Sequence, residues 1–561
     1  METSTHRAYI MAPPCPHTLI CDGQHTSPRG YQYRWYNLRG FLVSVFLLST
    51  IAICGAQPSW QQLSVSIVGV DPAQRMRMRI DSTTNTAYVA FSFEEDVVVD
   101  GERITSRGQH DVVLVAISPS GSPLWTKTFG GPGDDLVGDL VLTPDGDLLL
   151  AANCGGLTTS LPTYEIGDIT LTGRGNYDAV LVRLTSAGAV RWTRVDGSVY
   201  SDIINTVSIS ASGIVTGGFF VGQSRFGPTP VRDSLGQPAA FLHATTPTGQ
   251  HVDVTVFSPV AGDGLRSPQS SVVSVHHGVP ITAVVDRTSD VVVGTTVVAG
   301  RAPDVFPPVI ISWSPRSDPT VADDVSLCGS VSLDAAMSSG GTVLASVGDG
   351  GPCDAGPDAI LRVVSNESTS TSGFGTCAFC TVDAVRTIGS STYVLWSWAE
   401  RFDVPIRAVS FRTDPYVRDG AATVFRAGAP TEVFSLGASI LGRIADVEAS
   451  SNGLRWLVAI AGNAAALPNH SGSPDTALFI VGDDSQTSIN EADTAHQYDS
   501  PFVALIDMLG QTIPIGQNYS SLSTITTTAT SAFIAEVTGT LPTGMYLGLR
   551  ANGRTERIFV P

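Results

Sequence analysis

A β-hairpin pattern that returns about every sixty residues is the feature that most limits what this 561-residue chain can fold into. In each copy, apolar residues alternate with polar ones on both sides of a turn containing Gly, Asn, Asp or Ser. Such alternation around a short turn is typical of two antiparallel strands. The eight copies are residues 77–91, 139–152, 206–218, 272–285, 331–346, 382–395, 444–460 and 524–537.

A second hairpin follows the first in several copies, after a connection of variable length. In it an apolar strand runs into a Gly-containing turn, and the next strand twice carries tryptophan at the same position, Trp125 and Trp192. Two hairpins give four strands in each copy, and we interpret the tryptophans as packing between copies. The second hairpin is clearest in residues 110–128, 177–195, 239–256, 502–515 and 546–560.

Four antiparallel strands repeated eight times predict an all-β fold, a β-propeller of four-stranded blades. A single four-stranded sheet cannot cover both of its faces, whereas blades stacked in a ring bury them on one another. The 56 glycines and 34 prolines fit short strands joined by many turns. The alternative is a β-sandwich or a row of immunoglobulin-like domains, which need units of about a hundred residues.

Residues 130–153, GGPGDDLVGDLVLTPDGDLLLAAN, and the following 161–193 resemble the SBBP-type β-propeller repeats of exported bacterial and protist surface proteins. Those repeats read GG-x-x-x-D, an alternating strand ending near D-x-x-G-N, a Pro-containing loop, a G-x-D-A-F/V-L-V pair and S-x-G-x-x-x-W; the pair corresponds here to GNYDAVLV, residues 175–182. The similarity covers residues 77–256 and decays afterwards. It implies the propeller fold and exposure outside the cell, and it supplies no catalytic residues.

The usual blade number of that family is seven, whereas the hairpin pattern gives eight starts. The sequence therefore leaves two arrangements open. Either the ring has eight blades, or it has seven and one unit is an appendage or closes the ring with the strand at residues 63–70.

An apolar segment near the N-terminus, residues 41–53, carries a signal for export. Its thirteen residues follow several arginines and are too short to span about 30 Å of hydrocarbon, but they match the apolar region of a signal peptide. Small residues up to Ala56 fit a cleavage site. We predict a signal peptide with a long n-region over 1–56 and a single exported propeller domain over 57–561. The alternatives are an uncleaved signal-anchor at 41–53 and a lipoprotein attached through Cys54.

Two further patterns agree with an oxidising, extracellular compartment. Four cysteines within one short stretch predict two disulfides, in preference to a zinc site, which usually offers two closely spaced pairs. Three Asn-x-Ser tripeptides predict N-glycosylation in a eukaryotic host. The disulfide candidates are Cys328, Cys353, Cys377 and Cys380, and the glycosylation candidates are Asn366, Asn469 and Asn518.

Long connections between strands 2 and 3 of each blade all fall on one face, and insertions that gather on one face usually mark the binding face. We predict loops at residues 93–109, 154–176, 220–237 and 463–499. Acidic residues between blades share that face, and we expect them to cap turns through their own backbone. The alternative is that they hold Ca²⁺, which is coordinated by oxygen ligands. They are Asp134, Asp135, Asp202, Asp263, Asp323 and Asp324.

The net charge of −19 argues against nucleic-acid binding, which requires a basic surface. Local catalytic and dinucleotide signatures are missing from the sequence, no cofactor is predicted, and His276 with its neighbour His277 is interpreted as surface or core rather than metal-binding. We therefore predict an extracellular binding module for a protein or a glycan. The alternatives are a propeller hydrolase, lyase or quinoprotein-like enzyme with an axial site, and a structural surface protein without a discrete ligand. Carboxylates, histidine and arginine converging at the axis would favour the enzyme.

Overall fold

A computed structural model gives the arrangement of the chain. The residues that it describes are 60–62, 67–71, 74–156, 163–210, 213–233, 235–261, 268–276, 280–300, 306, 308–324, 330–338, 341–348, 359–365, 368–404, 409–412, 418–426, 429–435, 441–451, 453–461, 476–483, 502–506, 512–514, 544–550 and 555–560. The predicted signal peptide and the eighth hairpin, 524–537, lie outside these residues and stay predictions.

The described residues form strands and turns and no helix, so the all-β prediction is confirmed. Two short strands come first, β1 (Trp60–Gln62) and β2 (Ile67–Val68). Sheet 1 consists of β3 (Arg77–Ile80), β4 (Ala87–Val99), β5 (Glu102–Ile117) and β6 (Pro123–Gly130).

Sheets 2 and 3 each add a small two-stranded hairpin between their second and third main strands. Sheet 2 and its hairpin consist of β7 (Leu136–Leu142), β8 (Leu148–Gly155), β9 (Thr163–Ile166), β10 (Ile169–Thr172), β11 (Tyr177–Leu184) and β12 (Val190–Asp196). Sheet 3 and its hairpin consist of β13 (Asp202–Ser210), β14 (Gly213–Val221), β15 (Gln223–Phe226), β16 (Thr229–Arg232), β17 (Pro238–Thr245) and β18 (His251–Phe257).

Sheet 4 repeats this plan, and sheets 5 and 6 share one long strand. Sheet 4 and its hairpin consist of β19 (Ser270–His276), β20 (Ile281–Arg287), β21 (Val291–Val293), β22 (Thr296–Val298), β23 (Val309–Trp313) and β24 (Thr320–Asp324). Sheets 5 and 6 consist of β25 (Ser330–Ser338), β26 (Gly341–Gly348), β27 (Ala359–Ser365), β28 (Ser368–Ile388), β29 (Ser391–Val404), β30 (Val409–Arg412), β31 (Arg418–Arg426) and β32 (Ala429–Ser435).

Sheet 7 and a C-terminal sheet complete the described strands. Sheet 7 consists of β33 (Leu441–Ser450), β34 (Gly453–Ala461) and β35 (Thr476–Asp483). The C-terminal sheet consists of β36 (Phe502–Ile506), β37 (Thr512–Pro514), β38 (Gly544–Arg550) and β39 (Thr555–Val560).

The first strands of successive sheets contact one another in a closed circuit, which is the geometry of a β-propeller. Strand β3 contacts β7, and the contacts continue through β13, β19, β25, β28 and β33, which contacts β3 again. Each sheet therefore presents its first strand to a common axis. Because β28 is long, its first part is the outer strand of sheet 5 and its last part the inner strand of sheet 6.

N-terminal strands join the last sheet to the first. Strand β1 pairs with β35 at the outer edge of sheet 7, with Trp60 opposite Asp483. Strand β2, inside the predicted closing segment 63–70, pairs with both β35 and β4. The circuit of described strands closes with seven members, while the number of blades in the whole chain stays a prediction because 524–537 is not described.

The hydrophobic core lies between neighbouring sheets, because alternate side chains of a strand point to opposite faces of its sheet. Along β8, Leu148 and Leu150 pack toward sheet 1, whereas Leu149 and Ala151 pack toward sheet 3. Every residue of β8 is buried. A strand covered on both faces is apolar at nearly every position, which is why the second strand of each predicted hairpin is the more apolar one.

The recurrent tryptophans pack across from one sheet to the next. The Trp125 ring lies against Gly188, in a turn of sheet 2, and its indole N–H donates to the Ser186 carbonyl at 3.0 Å. Trp192 lies in the same way against Gly249 of sheet 3. Both turn glycines have φ near +80°, which strains any other residue, and a Cβ would lie 3.0 Å from the indole ring at Gly188 and 3.1 Å at Gly249, closer than an ordinary contact.

The prediction of long loops on one face was wrong in part. Residues 93–109 extend the β4–β5 hairpin, and the connections 154–176 and 220–237 contain the β9–β10 and β15–β16 hairpins. Connection 463–499 contains β35. No helix among the described residues has the length and apolarity required to cross a membrane.

Candidate functional site: the axial channel

Three aspartates on the axial strands tie neighbouring sheets together. The carboxylate of Asp139 accepts the N–H of Leu140 on its own strand and the N–H of Val207 on the next sheet, both at 2.9 Å. Asp446 accepts the N–H of Met78 at 3.0 Å, across the point where the circuit closes. Asp334 makes the equivalent bond to sheet 6 at 3.0 Å. These side chains occupy matching positions facing the axis.

Arginines from sheets 1 and 6 meet these aspartates in the channel. The Arg79 guanidinium lies 3.2 Å from an Asp446 oxygen and 2.9 Å from a Glu448 oxygen. Arg386 reaches Asp446 at 2.7 Å, and Arg77 reaches Asp139 at 3.3 Å. The axis therefore carries a dense group of opposite charges contributed by several sheets.

A second layer of arginines lies beside the first. Arg75 donates to the carbonyl oxygens of Gly138 at 2.9 Å and Asn205 at 2.5 Å, which lie in sheets 2 and 3. Arg443 donates to the Gln74 carbonyl at 2.8 Å and forms an ion pair with Asp383 at 2.9 Å. This layer places two more guanidinium groups close to the channel, and Asp383 balances the charge of one of them.

Burial and crowding shift the titration of these groups. Burial lowers the pKa of Arg77 to about 9, with Arg75 and Arg386 adding positive repulsion. Burial also raises the pKa of Glu448 to about 7. For Asp446, the desolvation that would raise the pKa is outweighed by Arg386, Arg79 and Arg77, so its carboxylate stays ionised. Near neutral pH, protonation of Glu448 therefore leaves the network more positive.

A cavity of about 160 Å³ opens among these side chains. Guanidinium donors and carboxylate acceptors line it together with polar groups of sheets 3 and 4. The guanidinium groups can bind an anion through charge-assisted hydrogen bonds, and the carboxylates can accept hydrogen bonds from hydroxyl groups. Its charged and histidine lining consists of Arg77, Arg79, Arg386, Asp139, Asp334 and His276.

The structure places three of the six acids predicted as Ca²⁺ candidates at the junctions between sheets. Asp135 accepts the N–H of Gly131 at 2.7 Å, and Asp202 accepts that of Ser198 at 2.7 Å, which is the capping geometry. Asp134 instead binds His110 at 2.6 Å and Tyr177 at 2.5 Å. Within the described part of the chain, no three His, Cys, Asp or Glu side chains are grouped so as to hold a metal ion.

The other sequence candidates are only partly within the described residues. Asp323 and Asp324 lie on β24, where Asp323 is opposite Ile310. Cys377 lies on β28 opposite Ala359, and Cys380 on the same strand is buried. His276 is exposed and lines the axial cavity. Outside the described residues lie Asp263, His277, Cys328, Cys353, Asn366, Asn469 and Asn518, so the disulfides and glycosylation stay predictions.

Sequence reasoning missed the axial residues, although one signal was present. The segment MRMRI places Arg77 and Arg79 at alternate positions of a strand, so both face the same way. Arginine repeated on one face of a strand that begins a blade is unusual for a buried surface. Its acidic partners, however, lie on sheets 2 and 7, and only the closed circuit brings them together.

No protein-family model matches the chain, and no curated protein sequence matches it. Among solved structures, the chain is similar to a Trypanosoma rangeli sialidase, with 11% identity and a TM-score of 0.34 over 66% of this chain and 61% of that one. A puromycin hydrolase matches with 13% identity and a TM-score of 0.31, over 68% and 57%. The parainfluenza virus 5 hemagglutinin-neuraminidase ectodomain matches with 9% identity and a TM-score of 0.27, over 76% and 83%.

These similarities are too low to support an argument about function. The chain spans less than two thirds of the length of the sialidase and of the puromycin hydrolase. The class of the protein therefore rests on its own geometry: four-stranded antiparallel sheets arranged around a charged axial channel.

Proposed function

We propose that this chain is an exported β-propeller that binds an acidic glycan, with one acidic sugar unit seated in the axial channel. The observation that carries the proposal is the convergence of Arg77, Arg79 and Arg386 on one cavity that also offers Asp139 and Asp334. Export through the signal peptide, a place among SBBP-type repeats and the predicted glycoprotein character belong to the same proposal.

The residues that line the axial cavity favour a sugar acid, which carries both a carboxylate and hydroxyl groups, over a simple anion. Guanidinium groups match the planar carboxylate with paired hydrogen bonds. The carboxylates of Asp139 and Asp334 would repel a bare anion, but they accept hydrogen bonds from sugar hydroxyls. At about 160 Å³ the cavity is smaller than the roughly 300–1,000 Å³ of drug-sized pockets, so it suits one small unit of a longer chain.

Binding of the purified full chain to glucuronic acid and N-acetylneuraminic acid, measured by isothermal titration calorimetry, tests the proposal. Glucose and N-acetylglucosamine serve as neutral controls, and they should bind at least tenfold more weakly than the acids. Arg79→Gln should weaken binding of the acids by roughly tenfold, since one charge-assisted contact is lost.

Two further variants separate binding from folding. His276→Ala changes an exposed lining residue and should weaken binding without changing the melting temperature. Arg103→Gln changes an exposed arginine that pairs with Asp96 elsewhere in sheet 1, and it should leave binding unchanged. Equal binding of acidic and neutral sugars, or equal effects of Arg79→Gln and Arg103→Gln, would contradict the proposal.

The pKa of Glu448 predicts how the affinity for an acidic sugar changes with pH. Below about pH 7 this carboxyl gains a proton and releases part of Arg79, while the carboxylate of the ligand stays ionised. Affinity should therefore rise as the pH falls from 8 to 6. Glu448→Gln should remove that dependence, and a wild-type affinity that is flat over this range would count against the axial site.

The enzyme alternative has two observations in its favour. Carboxylates, arginines and His276 converge on the axial cavity, which is the arrangement expected of an enzyme, and Glu448 adds the second. Its pKa of about 7 contrasts with the ionised Asp446 two residues earlier on the same axial strand. Two carboxyl groups held in different protonation states are the arrangement that acid–base catalysis uses. Release of a fluorescent leaving group from glucuronide and neuraminide substrates by the full chain, abolished in Glu448→Gln, would establish this alternative, and no release would leave the binding module.

A further inference from the structure

Two neighbouring junctions between sheets are built on the same plan. We call the one between sheets 1 and 2 the first junction and the one between sheets 2 and 3 the second junction. In each, the backbone N–H of an arginine donates to the carboxylate of the aspartate four residues later. The N–H of Arg107 lies 3.3 Å from Asp111, and that of Arg174 lies 2.7 Å from Asp178. A glycine lies against that aspartate in both, and a short hairpin, β9–β10 or β15–β16, covers the outside.

The hairpins carry different side chains at matching positions. Both first strands have the same alternation of exposed and buried residues, so Tyr164 corresponds to Ser224 and Glu165 to Arg225. In the first junction the Tyr164 ring is buried, and Glu165 pairs with Arg107 at 3.1 Å. The first junction is therefore filled and closed by opposite charges.

The second junction is open and positively charged. Arg225 takes the place of the acid and faces Arg174, whose Nη1 donates to the Arg225 carbonyl at 3.3 Å and to the Gly197 carbonyl at 3.4 Å. Arg232 on β16 is exposed beside them. Among the described residues, none of these three arginines forms an ion pair. A cavity of about 510 Å³ lies between them.

The carboxylates near this cavity offset only part of its positive charge, since Asp178 attracts Arg174 electrostatically without forming an ion pair with it. Asp178 and Asp202 lie beneath Gly197 and accept backbone N–H groups of Arg174 and Ser198. Burial raises the pKa of Asp202 to about 7, so its charge is incomplete at neutral pH. Three arginines that form no ion pair among the described residues, in a chain of net charge −19, form a local site for an anion.

We propose that the second junction binds a sugar carrying a sulfate or phosphate ester. The arginines supply forked donors for the three terminal oxygens of such a group. The cavity is far larger than a bare oxyanion and within the range of small-ligand pockets. Val199 at its wall and the neighbouring Tyr200 are 61% and 49% exposed, so they offer an apolar surface to a sugar ring. The site is separate from the axial channel.

The test uses calorimetric titration of the full chain with a galactose sulfate ester, a glucose phosphate ester, the two unsubstituted sugars and inorganic sulfate. At least one ester should bind, and the stronger of the two identifies the oxyanion. The unsubstituted sugars should bind at least tenfold more weakly. Inorganic sulfate should bind, but more weakly than the better ester, because it leaves the sugar surface uncovered.

A charge exchange between the junctions gives matched variants. Arg225→Glu restores the opposite-charge arrangement of the first junction, so it should weaken ester binding at least tenfold and leave the melting temperature unchanged or higher. Glu165→Arg makes the converse change in the first junction, where the buried Tyr164 still fills the space, and it should not create a second site. Arg103→Glu, at an exposed position in sheet 1, should leave ester binding as in the wild type.

Four results would overturn this proposal, and the first three concern the esters and Arg225→Glu. They are the absence of binding by either ester, the same affinity in Arg225→Glu as in the wild type, and equal binding of the esters and their unsubstituted sugars. Inorganic sulfate binding as tightly as the esters would also overturn it, since the site would then be specific for an oxyanion alone. The axial variant His276→Ala should leave ester binding intact, so the two sites fail independently.

Discussion

The first and second junctions share a backbone plan, and one four-residue strand in each carries different side chains. In the first, Tyr164 fills the interior and Glu165 neutralises Arg107. In the second, Ser224 and Arg225 leave a cavity with its positive charges unpaired. The repeated glycine and aspartate positions thus maintain the fold, while two positions of a short hairpin decide whether a junction is packed or open. A repeat protein can gain a site in this way without changing its blades.

The largest effect should come from making the first junction resemble the second. Tyr164→Ser removes a ring that is buried and whose hydroxyl donates to the Cys154 carbonyl at 2.8 Å and lies 2.9 Å from Asp178. We expect a loss of about 3–5 kcal/mol in the free energy of unfolding, measured with urea. Tyr164→Phe, which keeps the ring, should cost about 1 kcal/mol. If Tyr164→Ser cost less than about 3 kcal/mol, the ring would not be what fills the junction.

The shared glycines should be equally sensitive in both junctions. A Cβ at Gly130 would lie 2.5 Å from the Asp111 carboxyl group, and one at Gly197 would lie 2.3 Å from the Asp178 carboxylate. We expect Gly130→Ala and Gly197→Ala to cost about 2–3 kcal/mol each, by thermal or urea unfolding. Gly101→Ala is the control, because its φ is +83° but nothing lies within 4 Å of the added carbon. If only one of the two substitutions lowered the stability, the glycine–aspartate contact would not be equivalent in the two junctions.

A charged histidine distinguishes the first junction further. His110 lies between Asp134 at 2.6 Å and Asp71 at 2.9 Å, and their hydrogen bonds raise its pKa to about 10 from an ordinary 6.5. Its contribution to stability is complete below pH 6.5 and is lost as the pH rises through about 10. We expect His110→Gln to cost about 2 kcal/mol at pH 6, with little difference from the wild type above pH 10. Urea unfolding of both proteins between pH 6 and pH 10 tests this. If the destabilisation by His110→Gln did not change with pH, the histidine would be neutral and the prediction wrong.

The smallest expected effect is a difference in salt dependence between substitutions of Arg107 and Arg174. Arg107 is partly exposed and pairs with Asp111 at 2.8 Å and with Glu165, so Arg107→Gln should cost less than about 1 kcal/mol, and the cost should shrink in high salt. Arg174 donates to carbonyl oxygens and forms no ion pair among the described residues, so the cost of Arg174→Gln should depend less on salt than that of Arg107→Gln. Equal salt dependence of the two variants would mean that the junctions are electrostatically alike.

Much of the blade structure could be predicted because it is local. The alternation in residues 139–152 and 206–218 indicated the β7–β8 and β13–β14 hairpins, which pair over these ranges. The β9–β10 and β15–β16 hairpins were predicted as loops, since four-residue strands with two buried positions leave too short a pattern. The acids Asp135 and Asp202 could be placed between blades, but sequence alone did not decide between capping and metal binding.

What the sequence by itself determined is the hairpin, because strand period and turn composition act between residues that are close along the chain. Only the tertiary structure decided which charges meet. Asp446 and Met78 are 368 positions apart and become hydrogen-bonded because the last sheet closes on the first. Arg174 and Arg225 likewise become neighbours because a hairpin of one sheet covers the edge of another. Electrostatic and hydrogen-bond energies depend on distance in space, and in a ring of sheets that distance is set by closure rather than by chain separation.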